Sequence, residues 1–89
     1  MKLGRVVQTS RIADACYLNF DFQLEIATCF QRYIKDDWGE MDEEDKAAND
    51  FAKDHEERVL AAYQTSKGRI YIITEWNREY TTILFCDEY

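Results

Sequence analysis

ERVLAAYQT (57–65), SKG (66–68), RIYIITE (69–75), WNRE (76–79) and YTTILFC (80–86) run consecutively near the C-terminus. The pattern is three β-prone runs separated by two short polar breaks. Val59, Ile70, Ile72, Ile73, Ile83 and the aromatics between them suit a pleated, half-buried surface. Ser66-Lys67-Gly68 has the length and composition of a hairpin turn. Ile70-Tyr71-Ile72-Ile73 is apolar at every position, so the middle run is expected to be a central strand buried on both faces.

Working back from this meander, Asn19–Lys35 carries Phe22, Ile26, Phe30, Tyr33 and Ile34 at helical spacing. It predicts one long amphipathic helix. Asn19 or Asp21 is placed to cap its start, and Gly39, just after Trp38, to end it. A second, shorter helix is expected from Asp42 to about Asp54. Asp42 suits the N-cap, and Glu43, Glu44 and Asp45 fill a first turn that favours anions. Its apolar face (Ala47, Ala48, Phe51, Ala52) is thin. Leu3–Gln8 reads as a first, short strand whose place in the sheet order the sequence leaves open, an edge being one option, followed by turn chemistry at Thr9-Ser10 and Asp14. The prediction is an α+β domain of order β-α-α-β-β-β. An antiparallel sheet of three or four strands carries the long helix on one face.

Eighty-nine residues suffice for one domain, and 46% hydrophobic content supplies a core dense enough for that size. With no proline and three glycines, no linker divides the chain. No run approaches the roughly 18 apolar residues of a membrane span, and no apolar leader follows Met1. Residence in the cytoplasm, with no membrane partner, is the expectation. Cys16, Cys29 and Cys86 are odd in number and far apart, which argues against a disulfide framework. Cys29 and Cys86 read as buried small hydrophobes.

The net charge of −7 is localised. Asp36–Glu57 holds 11 acids and 2 bases, or −9, whereas the remainder holds 9 bases and 7 acids, or +2. Such a segment repels nucleic-acid phosphate and attracts a basic surface. Direct nucleic-acid binding is therefore disfavoured, and a basic protein is the expected partner. The candidate protein-binding residues are Asp36, Asp37, Trp38, Glu40, Asp42, Glu43, Glu44, Asp45, Asp50 and Trp76. The two tryptophans enter because aromatics anchor protein interfaces, although Trp at the end of an element also serves to seal a core rim.

Catalytic readings find little footing. His55 is the single histidine, and no nucleophile is placed beside it by sequence. Three scattered cysteines and one histidine do not match zinc spacing. Asp42-Glu43-Glu44-Asp45 shares only composition with a calcium loop, lacking its alternating ligands and central glycine. No glycine-rich phosphate loop exists. No metal, no cofactor and no enzymatic activity are expected.

Several stretches together resemble a family of roughly 90-residue bacterial proteins carried on plasmids, phages and integrated elements. They are Leu3-Gly4-Arg5-Val6-Val7, Asp37-Trp38-Gly39 with Glu43-Glu44-Asp45-Lys46 and Asn49-Asp50, Ile72-Ile73-Thr74-Glu75, Thr81-Thr82-Ile83-Leu84-Phe85 and Asp87-Glu88-Tyr89. The resemblance spans nearly the whole chain. It departs at Asp54-His55, where similar sequences place a glycine-containing turn. It implies a setting, not a catalytic residue. Small acidic proteins on mobile elements often disable host defences, so it implies an inhibitor of a defence nuclease of the anti-CRISPR kind, with carboxylates standing in for phosphate. The alternative is an accessory module that binds a protein partner through the sheet face or Trp76. Either a monomer or a homodimer is compatible with the sequence.

Overall fold

The three C-terminal runs form β2 (Val59–Thr65), β3 (Gly68–Thr74) and β4 (Tyr80–Phe85), each antiparallel to the next, in a computed structural model that describes residues 1–89. Register follows from burial. Tyr63 faces Ile70, Ala61 faces Ile72, and Ile72 faces Ile83, so the apolar sets of all three strands share one face. Ile73 and Leu84 on the opposite face are also buried. β3 is thus the central strand expected from its unbroken apolar run.

β1 (Arg5–Gln8) lies at the edge, which the sequence left open, and completes the sheet order β1-β4-β3-β2. It runs parallel to β4, so the expected antiparallel sheet is corrected to a mixed one, with an antiparallel meander and one parallel edge strand. A parallel neighbour requires a long return path, and here nearly the whole chain supplies it. Gly4 (φ +65°) opens β1 where its backbone lies against the carbonyls of Arg78 and Glu79, leaving no room for a Cβ.

α1 (Ser10–Cys16) is a helix where the sequence reads as a turn. Thr9 acts as N-cap, its Oγ1 accepting from the Ile12 amide at 3.3 Å. Cap chemistry and turn chemistry use the same residues. With Ile12 as the one buried side chain in seven residues, no periodicity marks the helix.

α2 (Phe20–Ile34) crosses the sheet and buries Phe22, Ile26, Cys29 and Tyr33. Asn19 caps it by accepting from the Phe22 amide at 3.0 Å. The expected terminator, Gly39, is not the one used. Asp36 takes the left-handed conformation (φ +63°) directly after the C-cap Lys35. Gly39 instead packs against the Ala62 carbonyl and the Tyr63 ring, where a Cβ would not fit. α3 (Glu43–Ala52) follows, with Asp42 capping the Asp45 amide at 2.8 Å, as expected.

The core between α2 and the sheet contains a chain of hydroxyls. Tyr33 bonds Thr74 (2.7 Å), Thr74 bonds Thr81 (2.8 Å), and Thr81 donates to the Leu3 carbonyl (2.7 Å). Burial pushes the Tyr33 phenol up to about 12, outweighing the Thr74 hydrogen bond. No buried side-chain polar atom is left without a partner, which keeps this polar chain from being a liability. A short 3-10 turn (Cys86–Glu88) closes the chain. Glu88 accepts from the Phe85 amide and the Thr9 hydroxyl, tying α1 to the end of β4. The three cysteines are unpaired. Cys29 is buried as expected, but Cys86 is half-exposed because the strand has ended before it.

Candidate protein-binding surface

The acidic segment occupies the β2 edge of the sheet. An open strand edge offers unpaired amides and carbonyls to any other chain. Here two pieces of the segment cover it. The Asn49 side chain donates to the Leu60 carbonyl (2.8 Å) and accepts from the Leu60 amide (3.3 Å), imitating a neighbouring strand from within α3. One step along, the Ala62 amide donates to Trp38 and the Glu40 amide donates to Ala62.

This arrangement sorts the candidate residues. Asp36 pairs with Lys53 at 2.9 Å. Asp37 takes two bonds from the Arg32 guanidinium, at 2.7 and 3.2 Å, and one from the Gly39 amide. Arg32 holds its carboxyl below the usual aspartate value. Asp42 is occupied as the N-cap. Asp50 accepts from the Trp38 indole Nε1 at 2.9 Å. Trp38 itself is 2% exposed and meets the Tyr33 ring edge-on at 5.5 Å. It is therefore a core residue, and its expected place on the binding surface is corrected. The indole's one polar atom is satisfied by α3.

Glu40, Glu43, Glu44 and Asp45 remain. All four side chains face water, the one ion pair among them being Lys46 to Glu43 at 3.8 Å, while the Arg69 guanidinium donates to the Glu40 backbone carbonyl at 2.9 Å. They cluster around the first turn of α3, where the helix dipole favours negative charge. Trp76 is 58% exposed in the β3–β4 turn. That turn is fastened to the other end of α3, because Arg78 donates to the carbonyls of Ala52 (2.7 Å), His55, Glu57 (2.7 Å) and Glu75 (3.0 Å). The exposed acids and the exposed tryptophan thus mark opposite ends of one helix, not one continuous patch.

His55 stacks on Phe51 with ring centres 3.8 Å apart and bonds the Phe51 carbonyl through Nδ1 (2.7 Å). This is packing at a helix C-terminus. Nowhere do three or more His, Cys, Asp or Glu side chains converge to hold a metal ion. The largest concavity, about 410 Å³, lies between β1 and α2 and is lined by apolar groups such as Val6, Ile26, Phe30 and Ile83. No charged side chain lines it.

Two residues essential to this surface carry a fastening role that the sequence does not assign them. Asn49 holds α3 to the sheet, and its signal was a poor helix former set among alanines. Arg78 organises the C-terminal end, and its left-handed backbone (φ +61°) carries no sequence mark beyond the preceding asparagine. No helix is long and apolar enough to cross a membrane. Comparison with protein-family models, curated proteins and solved structures returns no match.

Proposed function

We propose that this protein is a non-enzymatic inhibitor of a host defence nuclease, such as a CRISPR-Cas effector, and acts in the bacterial cytoplasm. It would dock the carboxylates around the start of α3 into the partner's basic nucleic-acid channel. The observation that carries the reading is the division of the acidic segment. Asp36 and Asp37 are committed to ion pairs, Asp42 to a helix cap and Asp50 to the Trp38 indole, whereas Glu40, Glu43, Glu44 and Asp45 project into water with one weak ion pair among them, Glu43 to Lys46. A rigid helix presenting unpaired carboxylates imitates a phosphate row, and complementary fields accelerate and orient such association. The resemblance to mobile-element proteins supplies the class of partner.

The test is the combined neutralisation Glu43→Gln, Glu44→Gln and Asp45→Asn, which leaves the Asp42 cap intact. Binding to the nuclease should weaken by about tenfold or more, and the salt dependence of the remaining binding should flatten. Inhibition that survives in a variant with an unchanged circular dichroism spectrum would end the acidic-surface reading. A second reading, an accessory module docking through Trp76, rests on the exposure of Trp76 and of Phe51 at the other end of α3. Trp76→Ala would then do more harm than the neutralised acids.

A further inference from the structure

α2 carries a second apolar stripe that the sheet does not cover. Phe20, Leu24 and Ala27 follow one another at steps of four and three on the side opposite Phe22, Ile26, Cys29 and Tyr33, and Ile34 continues the row beyond the polar Gln31. Phe20 is 70% exposed, Leu24 51% and Ile34 49%. Single exposed apolar residues are ordinary, but a row aligned on one helix face, interrupted once by Gln31, marks a contact surface.

The charges beside the stripe indicate the occupant. Asp21 lies near the start of α2 and Lys35 caps its end. Both are exposed, and neither takes part in an ion pair within the chain. Fourteen residues separate them, close to four helical turns or about 21 Å, so they stand on the same flank of the stripe. This surface is self-complementary. In a two-fold antiparallel pair of α2 helices, Asp21 of each copy meets Lys35 of the other. Phe20 then lies against Ile34, and Ala27, the smallest residue of the row, falls near the axis, where helices approach most closely. The face is also neutral overall in a chain of charge −7. A basic partner gains nothing from it, whereas a second acidic copy is repelled least there.

We propose that two copies of this chain associate through the outer face of α2, antiparallel about a two-fold axis near Ala27. This goes beyond the nuclease-inhibitor reading and does not depend on it, since the acids of α3 play no part in the contact.

Sedimentation equilibrium on the full chain tests it. The wild type should approach twice the 10.6 kDa chain mass as concentration rises. Leu24→Glu should weaken dimerisation by about tenfold or more and keep its circular dichroism spectrum, because the side chain is already half in water. The charge exchange tests the geometry without touching the apolar row. Asp21→Lys alone and Lys35→Asp alone should each dissociate the dimer, since like charges would then meet twice. An equimolar mixture of the two should form a heterodimer, and Asp21→Lys with Lys35→Asp in one chain should restore the homodimer. A wild type that stays at 10.6 kDa up to millimolar concentration overturns the proposal and leaves the face to another occupant. So does a mixture that associates no better than its components.

Discussion

α2 and α3 are held to the same sheet by opposite means. α2 is fixed by apolar burial, with Phe22, Ile26, Cys29 and Tyr33 set into the face that Ile70, Ile72 and Ile83 present. α3 buries only Asn49 and Ala52, and its attachments are directional and polar: Asn49 to Leu60, Asp50 to Trp38, and Arg78 to the carbonyls at its C-terminal end. Apolar contact is cheap to specify and tolerant of neighbours. Polar contact fixes position with few atoms and leaves the rest of the helix free for solvent. A helix carrying four acids in ten residues has little apolar surface to bury, so this is the attachment open to it. The difference separates global stability, which α2 should dominate, from local docking, which should be the property of α3.

The largest effect should come from Phe22→Ala. Phe22 is fully buried and stacked against Phe85 at 6.2 Å. Truncation of such a side chain costs about 3–5 kcal/mol. The urea midpoint for the whole domain should fall, because the core is shared by α2 and the sheet. A change confined to the exchange of α2 amides would break the comparison, since it would make α2 as detachable as α3.

Asn49→Ala should come next, at about 2 kcal/mol, because two hydrogen bonds are lost and the Leu60 amide and carbonyl are left facing an alanine. The expected signature is local. Hydrogen exchange should quicken in residues 43–52 and at the β2 edge, with β3 and β4 protected as before. A uniform loss of protection would show that α3 is integral to the core after all.

These two residues also show what was legible in the sequence. Phe22 announced itself through spacing, since apolar side chains that seek one face must recur at the helical period. The meander was legible for the same reason, in a period of two. Asn49 and Arg78 belong to no period. Each acts on backbone atoms distant in sequence, Leu60 and Ala52, whose positions exist only after the sheet has formed. α1 was missed because a seven-residue helix with one buried side chain has no stripe to read. The candidate surface was legible as composition and not as geometry. Counting acids found the segment, but only pairing distances distinguish Asp50, which holds an indole, from Glu44, which holds nothing.

The smallest effect is the difference between two variants at Arg78. Its φ of +61° is a conformation that residues with a Cβ adopt at a cost of about 1 kcal/mol. The four carbonyl bonds made by its guanidinium offset that cost. Arg78→Ala keeps the backbone strain and loses the bonds, whereas Arg78→Gly loses the bonds and relieves the strain. Both should loosen the C-terminal end of α3. The alanine variant should be the less stable by about 1 kcal/mol in urea titration, although it retains more side chain. Equal stabilities would mean that the turn relaxes once the guanidinium is gone, so that Arg78 creates the left-handed turn as well as using it. A more stable alanine variant would mean the same relaxation, with glycine then adding only its larger backbone entropy. The polar attachment itself is read from wild type against either variant, since both lose all four bonds to the carbonyls at the C-terminal end of α3.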